Sequence, residues 1–128
     1  MKTLTVGIMS LDEMQAYSIA IATGEHKRKR GDPKIWFTSV ESFAKVLSER
    51  NRELLALIIA VQPESLSELA ALSGRAKSNL SRTLKTMEHY GIVSVKKGPK
   101  GQLRPRVPYS GIKLAMPIAV AAEESLRV

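Results

Sequence analysis

Residues 77–90 read KSNLSRTLKTMEHY, and their spacing sorts them into two kinds of chemistry. Leu80, Leu84 and Met87 fall at i, i+4 and i+7, so a helix here turns one apolar stripe inward. Lys77, Ser78, Asn79, Ser81, Arg82, Lys85 and Thr86 are left largely on the other faces, and none of them is acidic. Side chains of these types donate to phosphate oxygens and read base edges. Asn can grip adenine, and Arg guanine, with two hydrogen bonds each.

A second basic group follows. Lys96, Lys97, Lys100, Arg104 and Arg106 lie close together with no acid between them, and five such cations repel one another unless a polyanion is present. Phosphate or minor-groove contact is their expected role. Residues 75–113 hold ten Lys or Arg against one acid, Glu88, a net of +9, whereas the whole chain is +8. The excess is therefore local. A local excess marks a surface, and duplex DNA is the leading partner for it, ahead of an anionic membrane.

The elements that would position these residues follow from periodicity and punctuation. Residues 3–9, TLTVGIM, alternate as a strand. Ser10 and Glu13 form an S-x-x-E capping box that opens a helix over 11–23, stopped at Gly24. Residues 25–34 read as a basic loop, including the run Lys27 to Arg30, which is a nuclear signal, a DNA arm or a solvated loop. The apolar run 35–37, IWF, is expected to pair with the first strand, with Trp36 and Phe37 as core or dimer contacts. Thr38 and Glu41 suggest a second capping box, Ser48 caps a helix that Pro63 ends, and Ser65 with Glu68 opens a short helix stopped at Gly74. After the basic helix, IVSVK (92–96) alternates as a strand. KGPKGQ (97–102) is a turn, RPRVPY (104–109) is extended, and IKLAMPI (112–118) is a further strand candidate.

Long helix, short helix ending in Gly, basic helix, strand, turn and strand is the order a winged helix-turn-helix requires, with the basic helix in the major groove. Ala70 is small where the two helices cross. The expected class is α+β, mainly helical with a small β component: a strand-helix-strand extension (1–38), a winged helix-turn-helix (39–116) and a tail (117–128).

The stretch SLSELAALSGRAKSNLSRTLKTMEHYGIVSV resembles the winged helix-turn-helix of bacterial and archaeal transcription regulators through Leu69, Ala70, Gly74, Ser81, Arg82, Leu84, Met87, Gly91, Ile92 and Val93. The likeness covers about residues 50–110. WFTSVESFAKVLSERN and GRAKSNLSRTLKTMEHYG further resemble small MarR-like regulators encoded beside a toxin gene. That resemblance implies a homodimeric repressor that is also an antitoxin, with a cognate toxin protein as a second partner. A stand-alone regulator, or an interaction module that has lost DNA binding, stays open beside it, as does an RNA-binding subunit. Arg75 departs from the pattern, because many members have an apolar residue after the turn glycine. Either the turn is looser here, or Arg75 reaches a phosphate.

Other classes are disfavoured by composition. Cys is absent, so neither a disulfide nor a thiolate metal site exists. His26 and His89 have no ligand partners at metal spacing. No Gly-rich phosphate loop and no Ser, His and acid group suggests catalysis, so no enzyme activity and no cofactor are expected. The longest apolar run, LLALIIAV, is far short of the ~20 residues of a membrane span. The first residues meet acids too early for a signal peptide. A cytoplasmic, non-membrane protein is the expectation.

Overall fold

The computed structural model describes residues 2–27, 29, 31–116 and 118. Arg28 and Arg30 of the basic loop, and nearly all of the tail, lie outside the described residues. The chain is α+β, in the order β1 (Lys2–Ile8), α1 (Leu11–Thr23), β2 (Ile35–Phe37), α2 (Val40–Val46), α3 (Glu49–Val61), α4 (Leu66–Ser73), α5 (Lys77–His89), β3 (Ser94–Lys97), β4 (Leu103–Arg106) and β5 (Tyr109–Ala115). It divides into two units, one built on Thr3–Phe43 with the residues from Gly111 onward, the other on Ala44–Ser110.

In the first unit β1 and β2 are parallel, with Val6 opposite Ile35 and Gly7 opposite Trp36. A parallel pair needs a crossover, and α1 supplies it. Ser10 accepts from the Glu13 amide at 3.2 Å and starts that helix. Leu4, Val6, Met9 and Phe37 are buried. Gly7 is required by close approach, since a Cβ there would lie 2.3 Å from the Trp36 ring. Tyr17 packs on both Trp36 and His26, at ring distances of 5.5 and 5.2 Å.

β5 completes this sheet, in the order β2-β1-β5. The sequence reading puts residues 111–116 with the winged helix and the first boundary at 38. Hydrogen bonding of β5 to β1 instead groups residues 111–116 with the first unit. The cap of helix α2 also lies one residue later than expected. Ser39, not Thr38, accepts from the amide three residues on, at 3.0 Å to Ser42, because β2 and the bend after it occupy Thr38.

In the second unit three helices and a β-hairpin enclose one core. Leu54, Leu55 and Ile58 from α3, Leu66 and Leu69 from α4, and Leu80, Leu84 and Met87 from α5 are buried together with Ile92, Val93 and Val107. Each such side chain contributes about 1.5–3 kcal/mol by leaving water. Ser48 and Ser65 cap α3 and α4. Gly74 closes α4 in the left-handed region at φ 73°, a conformation that costs glycine nothing. Gly74 thus sets the turn into α5. β3 and β4 are antiparallel, with Val95 opposite Pro105 and Lys96 opposite Arg104. The architecture is a winged helix-turn-helix.

Candidate nucleic-acid interface

Helix α5 turns Leu80, Leu84 and Met87 into the core, which leaves Lys77, Ser78, Ser81, Arg82, Lys85 and Thr86 exposed. Asn79 is half-buried. The helix begins at Ala76 with no side-chain cap and no acid in its first turn. α1, α3 and α4 each begin with a serine that accepts a first-turn amide. The opening amides of α5 thus stay available, at the positive end of the helix dipole, to a ligand with acceptors. Between α5 and the hairpin lies an open cavity of about 320 Å³, whose polar lining comes from Ser81, Lys85, Glu88 and Lys97.

Arg75 is placed otherwise than expected. It is only 9% exposed, so it does not reach out to a phosphate. Its Nε donates to Asn79 Oδ1 at 2.8 Å, one terminal nitrogen to Asn51 Oδ1 at 3.1 Å, and the other to Thr83 Oγ1 at 3.0 Å. The Asn51 amide nitrogen donates in turn to the Val46 carbonyl at 3.0 Å. Burial first, and the nearby charge of Arg50 second, lower the Arg75 pKa from the usual arginine range. The turn is not loosened by this arginine. It is braced by it, because a planar guanidinium joins three acceptors from α3 and α5 in one fixed fork.

The cations of the wing divide into two groups. Lys96, Lys97 and Lys100 are exposed, as a phosphate-contacting hairpin requires. Arg104 and Arg106, however, meet an acid that lies far from them in the chain. Arg104 Nε is 2.6 Å from one Glu64 oxygen and an Arg106 nitrogen is 3.6 Å from the other. Arg106 also donates to the Pro63 carbonyl at 2.7 Å. The Glu64 amide is itself held, donating to Glu68 Oε2 at 3.0 Å. Five mutually repelling cations are thus three lysines with no ion pair among the described residues and two arginines that share one carboxylate, which cancels one of their two charges. Lys96 and Arg104 face each other across the strands, where like charges destabilise a ladder, and Glu64 offsets that repulsion.

Asn51, Thr83 and Glu64 carry no mark in the sequence that sets them apart. Asn51 sits inside an apolar-periodic helix, and Glu64 precedes a capping box that already explains its surroundings. No local signal distinguishes either from a solvated polar residue. Among the described residues no group of three His, Asp or Glu could hold a metal ion, and no single helix is long and apolar enough to cross a membrane.

The family model HVO_A0114 matches residues 46–114, more than half of the chain. The chain belongs to the HVO_A0114 family. The match takes in α3, α4, α5 and the wing and leaves β1, α1 and β2 outside it. The family's shared part is therefore the part that carries the basic helix and hairpin. No curated protein matches the sequence. Among solved structures, a crystal structure of a predicted DNA-binding transcriptional regulator from E. coli aligns over 91% of this chain and 93% of its own, at 14% identity and a TM-score of 0.45.

Proposed function

We propose that this protein binds duplex DNA as a transcriptional regulator, with α5 in the major groove and the β3–β4 wing along the phosphates. One observation carries the reading: between Lys77 and Thr86 α5 presents six exposed polar or cationic side chains, with no acid in its first turn and an uncapped N-terminus. In helix-turn-helix proteins the first residues of the recognition helix meet base edges. Ser78, Ser81 and Arg82 hold those positions, while Lys85 and Thr86 lie a turn further along. Lys96, Lys97 and Lys100 supply sequence-independent phosphate contacts. Two copies acting as a homodimer would read half-sites about 34–36 Å apart. Fluorescence anisotropy with duplexes from the gene's own upstream region tests the reading. Binding that favours one duplex over a scrambled one and weakens steeply with salt is expected, and equal, salt-insensitive binding overturns it.

A protein partner is the finer part of the proposal. Leu11 and Ile19 of α1 are 71% and 56% exposed, and no residue of that helix is buried. Apolar side chains so placed, together with the antitoxin-like residues around Trp36 and in α5, support docking of a toxin protein on the first unit. A repressor of its own operon would then double as an antitoxin. Leu11→Lys with Ile19→Lys should abolish co-purification with the neighbouring gene's product while leaving DNA affinity intact. Retained co-purification removes α1 from that role. Surface substitutions are preferable to truncation here, because β1 is the central strand of its sheet and its removal strips β5 of a partner.

A further inference from the structure

Asn79 stands in the first turn of α5, where a base-reading side chain belongs, yet half of its amide is already used. Its partner is a guanidinium, which has donors and no acceptor. The atom facing Arg75 must therefore be the amide oxygen, and the hydrogen bond is 2.8 Å long. That oxygen points at a group only 9% exposed, so it is turned into the protein. The amide nitrogen occupies the other branch of the same plane. It has no partner among the described residues.

We infer that Arg75 fixes Asn79 as a donor-only reader, so that the base Asn79 faces in the preferred DNA site is guanine rather than adenine. The inference rests on the DNA-binding reading above and adds the specificity of one position. Adenine's major-groove edge offers one acceptor, N7, and one donor, the N6 amino group, and an Asn needs both its oxygen and its nitrogen free to match them. Guanine offers two acceptors, N7 and O6. One bond from Arg75 leaves the oxygen a second lone pair. An oxygen turned toward a buried guanidinium nevertheless puts the two N–H groups on the groove side. There they match guanine's two acceptors and offer the adenine amino group none.

Arg75 is a positioning residue here, since it acts through Asn79 and touches no base. What makes the positioning firm is the rest of the fork. Asn51 at 3.1 Å and Thr83 at 3.0 Å hold the other arms, and Asn51 is tied to the Val46 carbonyl. The guanidinium cannot swing away from Asn79 without leaving two further acceptors unpaired. Lysine, a point charge on a flexible stem, cannot hold three acceptors in this geometry.

The test begins with site selection on the full chain, followed by affinities for every single-base variant of the selected duplex. Asn79→Ala should lose preference at one base pair, by roughly five- to 150-fold, and that pair should be G·C. In the wild-type protein, 7-deazaguanine at that position should weaken binding; in Asn79→Ala it should have no further effect. An A·T pair at the lost position overturns the inference, as does no lost position. Arg75→Lys should move the ratio of guanine to adenine affinity at that pair toward adenine. A uniform loss at all positions would mark Arg75 as a stabilising residue alone and overturn its positioning role. If Arg75→Lys fails to fold by circular dichroism, the Asn79→Ala and deazaguanine measurements still decide the readout. Absence of any sequence preference in the wild type defeats the DNA-reading proposal itself, which separates that failure from this one.

Discussion

Helix α5 and the β3–β4 hairpin belong to one unit and hold their cations in opposite ways. On α5, Lys77, Arg82 and Lys85 are exposed, and none makes an ion pair among the described residues. On the hairpin, Arg104 and Arg106 share the carboxylate of Glu64, and Lys96, Lys97 and Lys100 extend beyond it. A helix buried along one stripe sends its remaining side chains outward, away from neighbouring loops. A two-stranded ribbon lies against the body along part of its length, and the arginines on that part meet the α3–α4 connection. The Arg104–Glu64 pair is about a third exposed on the arginine and more than half exposed on the acid, at 33% and 59%. Such a pair adds little stability. It ties β4 to the α3–α4 connection, while Lys96, Lys97 and Lys100 make no ion pair among the described residues.

The largest effect to measure is salt dependence. If two copies bind through Lys96, Lys97, Lys100 and the cations of α5, about 6–10 phosphates would be neutralised, and affinity should fall about 10³- to 10⁵-fold between 50 and 200 mM salt. Titration by gel shift at several salt concentrations checks this. Arg82→Ala should cost about 1–3 kcal/mol on the preferred duplex and relax preference at one base position. Equal weakening on preferred and scrambled DNA would erase the contrast between a reading helix and a clamping wing.

Glu64→Gln sharpens the same contrast from the wing's side. Releasing Arg104 and Arg106 should steepen the plot of log affinity against log salt by about one unit for each arginine that reaches a phosphate. An unchanged slope would mean that both arginines stay off the DNA without Glu64. Lys97→Ala should weaken all duplexes alike and flatten the slope by about one for each phosphate that the lysine neutralises. The smallest effect is on folding. Glu64→Gln should change stability by about 1 kcal/mol or less, measured by urea denaturation, since the carboxylate is well exposed.

Much of this molecule is legible locally. The serine caps at Ser10, Ser48 and Ser65 announce their helices, because a first-turn amide needs an acceptor and a short hydroxyl supplies one wherever the chain turns. The stripe of Leu80, Leu84 and Met87 decides which face of α5 is buried, since 3.6 residues per turn admits no other choice. That one stripe also decides which polar residues of α5 face solvent. The pairing of the IWF run with the first strand is legible in the same way, from an apolar run too short to be buried alone.

The fates of Arg75, Arg104 and Arg106 cannot be read so. Each is a cation in a basic segment, and its neighbours in sequence include solvated lysines. Arg75 is withdrawn by Asn51, 24 residues earlier, and Arg106 by the Pro63 carbonyl, 43 residues earlier. Spacing along a chain records the period of a helix or strand. It holds no record of which loop a strand will lie against. The membership of β5 in the first sheet is of the same kind, because an alternating strand declares which face is apolar but not its partner. Sequence alone thus determined the winged-helix order and the outward face of α5. Only the tertiary structure decided which cations on that surface are left free for an anion, since an ion pair or a buried fork forms where distant backbones bring acceptors within about 3 Å.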